Sequence, residues 1–144
     1  MQNQVVVNTD GGARGNPGPA ACAFVIRKGA DVIFKNSMFL GNATNNHAEY
    51  QGVIMALLYL SENAKDFSGM EIVFILDSEL VARQLAGEYK TKNADLKNLL
   101  ATAKLLEKKL NANIFYHVTS REKNKTADFL VNKELDNQQG VSRY

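Results

Sequence analysis

VVVNTDGGARGNPG, residues 5–18, decides the fold of this chain. Val5-Val6-Val7 is a continuous apolar run of the kind that suits a strand buried on both faces. The run ends in Asp10, followed at once by Gly11 and Gly12. An acid in that place sits at the rim of a sheet, and the glycines leave room for another molecule to approach the backbone. Pro17 and Pro19 forbid a helix straight after the turn, so the chain is expected to loop and return as a second strand. Taken alone, Asp10 reads as a turn residue, because Asp-Gly is a common turn signal. The reading changes because the same arrangement occurs a second time.

Downstream, Ala20 to Arg27 and Val32 to Leu40 read as two strands joined by a tight turn at 28–31, which makes them antiparallel neighbours. Residues 41–46 (GNATNN) form a turn-rich segment with several candidate N-caps. NHAEYQGVIMALLYLS then predicts a helix from about Asn45 to Ser61, apolar around most of its circumference and so largely buried. Glu49 lies in its first turns, near the helix mouth. A helix-dipole partner is the plain reading of that residue. Met70 to Leu76 is the second buried-looking strand, and Asp77-Ser78 follows it directly, with a helix over 78–86 stopped by Gly87. Asp77 has a plain reading too, as the cap of that helix. A strand–helix–strand crossover can nevertheless set the 70–76 strand parallel to and beside the first one. Asp10 and Asp77 would then share one sheet edge about 4.8 Å apart, where two carboxylates repel unless a cation or a shared proton stands between them.

The remainder is a short basic loop, EYKTKN at 88–93, then a helix over Asp95–Leu110. That helix carries an apolar stripe of Leu96, Leu99, Leu100, Ala103, Leu106 and Leu110, with its lysines on a solvated face. Asn113 to Val118 is the last strand. A polar loop follows, and a final helix from about Asn124 to Asn137 holds Asp128 in its first turn or so. The chain is expected to form one domain over 1–137 with a C-terminal tail at 138–144, in which Arg143 and Tyr144 dock on the body.

Composition sets bounds on function. Hydrophobic residues make up 45% and charged residues 22%, ordinary for a soluble globular protein. No apolar run reaches membrane-spanning length and the N-terminus lacks a secretion signal, so a cytoplasmic protein with no membrane partner is expected. The single cysteine, Cys22, lies among small apolar residues and reads as a buried structural thiol. A formal net charge of +2 neither demands nor excludes a polyanionic partner, so local patches must do any nucleic-acid binding.

Four acids thus have a common address: Asp10 and Asp77 at strand ends, Glu49 and Asp128 near helix starts. Oxygen-only ligands without a cysteine cluster select Mg²⁺ or Mn²⁺ over zinc. Carboxylates that bridge two such ions roughly 4 Å apart suit phosphodiester cleavage, with no covalent nucleophile required. The glycine-rich turn is no phosphate-binding Walker loop, because no Gly-Lys-Ser/Thr follows, and its glycine spacing does not fit a dinucleotide fingerprint.

TDGGARGNPGPA at 9–20, TNNHAEYQGVIMAL at 44–57, ILDSELV at 75–81 and REKNKTADFLVN at 121–132 together resemble type 1 ribonuclease H, from about Val5 to Glu134. The resemblance implies an α/β fold with a mixed five-stranded sheet in the order 3-2-1-4-5, strand 2 antiparallel, and helices on both faces. It implies an endonuclease that hydrolyses the RNA strand of RNA–DNA hybrids with two Mg²⁺ (or Mn²⁺) ions. Asp10, Glu49, Asp77 and Asp128 are by motif position the catalytic metal ligands. It further implies that Gly11, Gly12, Ala13, Arg14, Gly15 and Asn16, with Asn45, Asn46 and Ser78, meet the minor groove, where RNA 2′-hydroxyls are displayed. The sequence departs from the best-known members in three places. The loop before the last acid reads Ser120-Arg121-Glu122 where many carry a histidine, a variant similar to archaeal and some bacterial relatives, and Arg121 is the candidate phosphate contact there. A long basic insertion is missing, which leaves Lys90 and Lys92 as candidates for phosphate contacts. Glu79 stands where a glutamine commonly contacts the groove. The expectation is a monomeric nuclease acting on RNA–DNA hybrid, with double-stranded RNA as a further candidate substrate. A DNA-cutting nuclease of the same fold and a non-catalytic nucleic-acid-binding module are the alternatives.

Overall fold

A computed structural model of the protein describes residues 3–139. In chain order the elements are β1 (Gln4–Ala13), β2 (Gly18–Lys28), β3 (Asp31–Ala43), α1 (Asn45–Glu62), β4 (Glu71–Leu76), α2 (Glu79–Leu85), α3 (Ala94–Glu107), β5 (Asn113–Val118) and α4 (Lys125–Gln138). Single 3-10 turns occupy Ala64–Phe67 and Arg121–Asn124. The five strands make one sheet in the order β3-β2-β1-β4-β5. Strand β2 is antiparallel to both neighbours, while β4 and β5 run parallel to β1. The expected architecture, including the crossover that brings β4 beside β1, is the observed one.

The two sheet faces are unequal. On one, Val5 and Val7, Phe24 and Ile26, and Ile72, Phe74 and Leu76 pack against α1, α2 and α3. Thr44 starts α1: its Oγ1 accepts a hydrogen bond from His47 N at 3.2 Å, which satisfies one donor of the open first turn. Val53, Leu57 and Leu60 of α1 have no exposed surface, and burying each such side chain contributes roughly 1.5–3 kcal/mol. The opposite face has a smaller cluster, in which Val131 and Leu135 of α4 cover Ala21 and Ala23. Small residues on β2 let α4 lie close to the sheet. Cys22 is fully buried, and burial pushes its thiol up to about 12, so it is an inert core group.

Three expectations are corrected by tertiary pairing. First, β1 does not end at Asp10. It continues to Ala13 because β2 keeps pairing with it, from Asp10↔Ala23 through to Ala13↔Ala20. Its parallel ladder with β4 stops earlier, at Asn8↔Ile75. Second, the 41–46 turn cluster shrinks to Thr44, since Gly18↔Ala43 extends the β2–β3 ladder through Gly41–Ala43. Third, Lys104 is half-exposed but its ammonium is engaged rather than free. Its Nζ donates to the Leu85 carbonyl and pairs with Glu107 at 3.1 Å, which ties α3 to α2. At the C-terminus, Gln138 belongs to α4, and the docking expected of Arg143 and Tyr144 lies outside the described residues. Among the described residues, no helix is long and apolar enough to cross a membrane.

Candidate active site

Past Asn8 and Ile75 the two central strands part, and the chain connections leave in opposite directions. Open α/β sheets form ligand crevices at such points. Asp10 projects there. Cross-strand partners share a face, so pairing with Ala23 puts Asp10 on the α4 side, while Gly11, opposite Cys22, turns to α1. A Cβ built on Gly11 would lie 2.1 Å from the Ala48 carbonyl oxygen. The space at this glycine is therefore taken by the protein's own helix and not by an approaching ligand. That close approach carries Glu49 to the strand, where its Oε1 accepts a hydrogen bond from Gly11 N at 2.8 Å. Gly52, one turn on in α1, is also tight, since a Cβ there would lie 2.8 Å from the Asp10 carbonyl oxygen. The plain helix-dipole reading of Glu49 does not hold, because the carboxylate is 5% exposed and faces the strand. Asp77 follows β4 directly. It is not the cap of α2, since Ser78 Oγ takes that role by accepting from Val81 N.

Asp10, Glu49 and Asp77 each offer a carboxylate oxygen within 4.8 Å of the others. Burial, followed by the Asp77 charge, raises Asp10 to about 6 against opposing hydrogen bonds. Glu49 is pushed well above its ordinary value by burial and by Asp10. Asp77 is raised by burial, with the Arg121 guanidinium acting in the opposite direction. Glu49 Oε2 and Asp77 Oδ2 are buried without a hydrogen-bond partner. Arg121 Nε approaches Asp77 Oδ2 only to 3.8 Å, from a side chain that is 80% exposed. Three acids at this spacing, two of them with buried oxygens left open, have only one exposed arginine to offset their repulsion. An all-oxygen donor set of this kind fits a hard divalent ion. Asp128 is not in the tight group. It lines the same cleft of about 390 Å³ from the first turn of α4, and its charge raises both Asp10 and Asp77.

The other expected residues divide by location. Gly11, Gly12, Ala13, Arg14, Asn45, Asn46, Ser78 and Arg121 line this cleft. The turn is pinned to α1, because Ala13 N donates to Asn45 Oδ1 at 2.8 Å and Asn45 N donates to Asn16 Oδ1 at 3.0 Å. Gly15, at φ +92°, supplies the left-handed residue that the turn needs. Lys90 and Lys92 stand apart, exposed on the connection between α2 and α3. Glu79 is paired with Arg83 at 3.4 Å, and His47 Nδ1 lies 2.8 Å from Asp95 Oδ2.

Sequence reasoning passed over one group. Asn124 is 1% exposed, donates to the Thr9 carbonyl at 2.8 Å and accepts from Asn8 Nδ2 at 2.9 Å. Arg27 Nη2 holds the other side of Asn8 at 2.6 Å. Asn124 also bonds to Asp77 and favours its ionised form. It therefore fastens the start of α4 to the strand that carries Asp10. Its position one helical turn before Asp128 was the available signal.

Fold and cleft together define a mixed α/β protein of the ribonuclease H-like class, with an acidic metal-type site where β1 and β4 part. A family model described as reverse transcriptase-like matches residues 8–134. Ribonuclease HI of Halobacterium salinarum is 39% identical over 128 residues, 88% of this chain and 62% of that protein. Bifunctional protein Rv2228c of Mycobacterium tuberculosis is 36% identical over 135 residues, 92% of this chain but 36% of that protein. The chain thus spans between about a third and three-fifths of these two relatives. The crystal structure of LC11-RNase H1 in complex with RNA/DNA hybrid superposes with a TM-score of 0.88 at 38% identity, covering 94% of this chain and 99% of that one. The chain belongs to the type 1 ribonuclease H family.

Proposed function

We propose that this protein is a metal-dependent endoribonuclease that cuts the RNA strand of RNA–DNA hybrids, using two Mg²⁺ or Mn²⁺ ions. One observation carries the reading: the carboxylates of Asp10, Glu49 and Asp77, two of them buried and one half-buried, meet within 4.8 Å with a single exposed arginine at 3.8 Å as the cation beside them. A module that only bound nucleic acid would gain nothing by presenting that charge to phosphates. The relative crystallised with RNA/DNA hybrid supports the choice of substrate.

Asp10, Glu49 and Asp77 would hold the ions, with Asp128 completing the set from across the cleft. The chemistry such ions would supply there is activation of a water and stabilisation of the leaving oxygen of a phosphodiester. The protein's own contribution is placement. The Gly11 amide orients Glu49, Asn124 orients Asp77, and the sheet keeps Asp10 between them. Arg121, exposed at the cleft mouth beside Asp77, is placed to take a substrate phosphate when metal relieves its pairing. Ala13, Asn45 and Asn46 present backbone and amide groups suited to 2′-hydroxyls.

Incubating the protein with labelled RNA–DNA hybrid, double-stranded RNA and DNA duplex, with and without Mg²⁺, tests the reading. Cleavage of the hybrid's RNA strand only with metal is expected. Cleavage of DNA duplex in preference would make it a DNA nuclease of the same fold. Binding without cleavage at any metal concentration would make it a binding module.

A further inference from the structure

Arg14 belongs to the turn expected to meet substrate, yet its guanidinium is engaged elsewhere. Nη2 lies 2.7 Å from Asp136 Oδ1 and 3.3 Å from Asn132 Oδ1, and Nη1 donates to Gln139 Oε1. All three partners are on or at the end of α4, and Asp136 is buried at 5% exposure. Asn132 passes the contact on. Its Nδ2 donates to the Asp128 carbonyl at 3.0 Å and to the Asp128 carboxylate at 3.3 Å. Asp128, Asn132 and Asp136 are spaced four residues apart, so they form one face of the helix. The far side of the same turn is bonded to Asn45 in the first turn of α1, the helix that carries Glu49. The turn is thus a strap between the helices that bear Glu49 and Asp128.

We propose that Arg14 is a positioning residue: it clamps α4 to the glycine turn and, through Asn132, sets where Asp128 stands relative to the other three acids. The apolar cluster under α4 is small, Val131 and Leu135 on Ala21 and Ala23 with Phe39 and Leu130 beside them. Polar bonds from Asn124 to Thr9 and from Ser37 to Glu134 complete the seat of the helix, to which the Arg14 clamp adds the tie nearest Asp128. A small slide or roll of that helix moves Asp128 directly, whereas Asp10 is fixed by strand pairing and Asp77 follows directly on a paired strand. Arginine suits the task, since its planar fork reaches a carboxylate and an amide at once and lysine's point charge does not. Metal ligands oriented in this way lose about 10- to 100-fold in metal affinity or activity when the outer partner is removed.

The inference rests on the proposed function for its kinetic arm and on the metal site alone for its calorimetric arm, while the exchange arm needs neither. Arg14→Met and Arg14→Lys would be compared with wild type in four measurements: metal-free hybrid binding, kcat and KM over a Mg²⁺ series, Mn²⁺ binding by calorimetry, and hydrogen exchange of α4. For Arg14→Met we expect Mn²⁺ affinity and kcat each to fall about 10-fold and exchange over residues 125–132 to speed up. KM and metal-free hybrid affinity should stay within about twofold, the pattern of a group that does not touch substrate. Arg14→Lys keeps a cation for Asp136, so it should recover melting temperature but not Mn²⁺ affinity. Loss of metal-free hybrid binding with unchanged kcat and Mn²⁺ affinity would make Arg14 a substrate contact and overturn the proposal. A change in melting temperature alone, or no change at all, would also overturn it. If wild type cuts nothing, the nuclease reading fails by itself, and the calorimetric and exchange arms still decide the clamp.

Discussion

Two charged clusters sit in this molecule, and they are built on opposite rules. In the cleft, Asp10, Glu49 and Asp77 crowd together with unpartnered oxygens, and the nearest cation is an exposed arginine at 3.8 Å. On α3, Glu107 is half-buried and fully partnered. Lys104 Nζ meets both of its oxygens at 3.2 and 3.1 Å, and the Tyr116 hydroxyl donates to it. Lys104 also lies 5.5 Å from the centre of the Tyr116 ring. Burial and the Glu107 charge push Tyr116 well up, so that hydroxyl stays protonated and remains a donor. A buried charge costs several kcal/mol when it has no partner. The second cluster removes that cost with its own side chains, and the first leaves it in place for something bound to remove. Burial alone therefore does not mark a functional site; an unbalanced charge does.

Breaking each cluster should separate the two. The largest effect is expected from Asp10→Asn or Asp77→Asn. Each should lower hybrid cleavage by roughly 100-fold or more. Metal-free stability should be unchanged or raised, because a repulsion has been removed. Activity close to wild type in either variant would end the metal mechanism. The reverse is expected of Glu107→Gln, which leaves Lys104 without its partner. Urea unfolding should show a loss of about 1–3 kcal/mol, with kcat against hybrid unaltered. A drop in kcat without loss of stability would join the second cluster to function and erase the contrast.

The smallest effect is a pH dependence confined to the open cluster. Asp10 titrates at about 6 in the folded chain and at its ordinary 3.8 when unfolded. Below the lower value both states hold the proton. Between the two values only the folded state does, so the unfolded chain ionises first and folding stability falls as pH rises from about 4 to 6. Glu49 shifts in the same direction. Urea midpoints in a metal chelator should decline across that window. Saturating Mg²⁺ should flatten or reverse the trend, since bound cations favour the ionised carboxylates. A midpoint that rises from pH 4 to 6 without metal would contradict the repulsion.

Most of the fold was legible because its signals are short-range. The apolar run at 5–7, the Gly29-Ala30 turn between β2 and β3, the capping Thr44 and the stripe on α3 each act over a few residues, and the sheet order followed from the crossover and the family motifs. Strand ends were less legible. Asp10 appears to terminate an apolar run, but β2 holds the strand on to Ala13, and no local pattern in 10–13 announces that pairing. Of the site, the four acids could be listed from strand-then-acid and helix-start positions. Their partners could not: Asn8 and Asn124 meet across 116 residues of chain and Arg14 and Asn132 across 118.

The sequence by itself determined which residues carry charge at the ends of buried elements, since hydrophobic period and caps are properties of neighbouring residues. Tertiary structure alone decided how those charges are shared out. It drew three acids together and set Asp128 apart on a helix of its own. It filled the space at Gly11 with α1, turned Arg14 onto α4, and brought the Lys104 ammonium to the Leu85 carbonyl. These outcomes depend on the register of strands and the seating of helices, which arise from packing between segments far apart in the chain and leave no trace in any one of them.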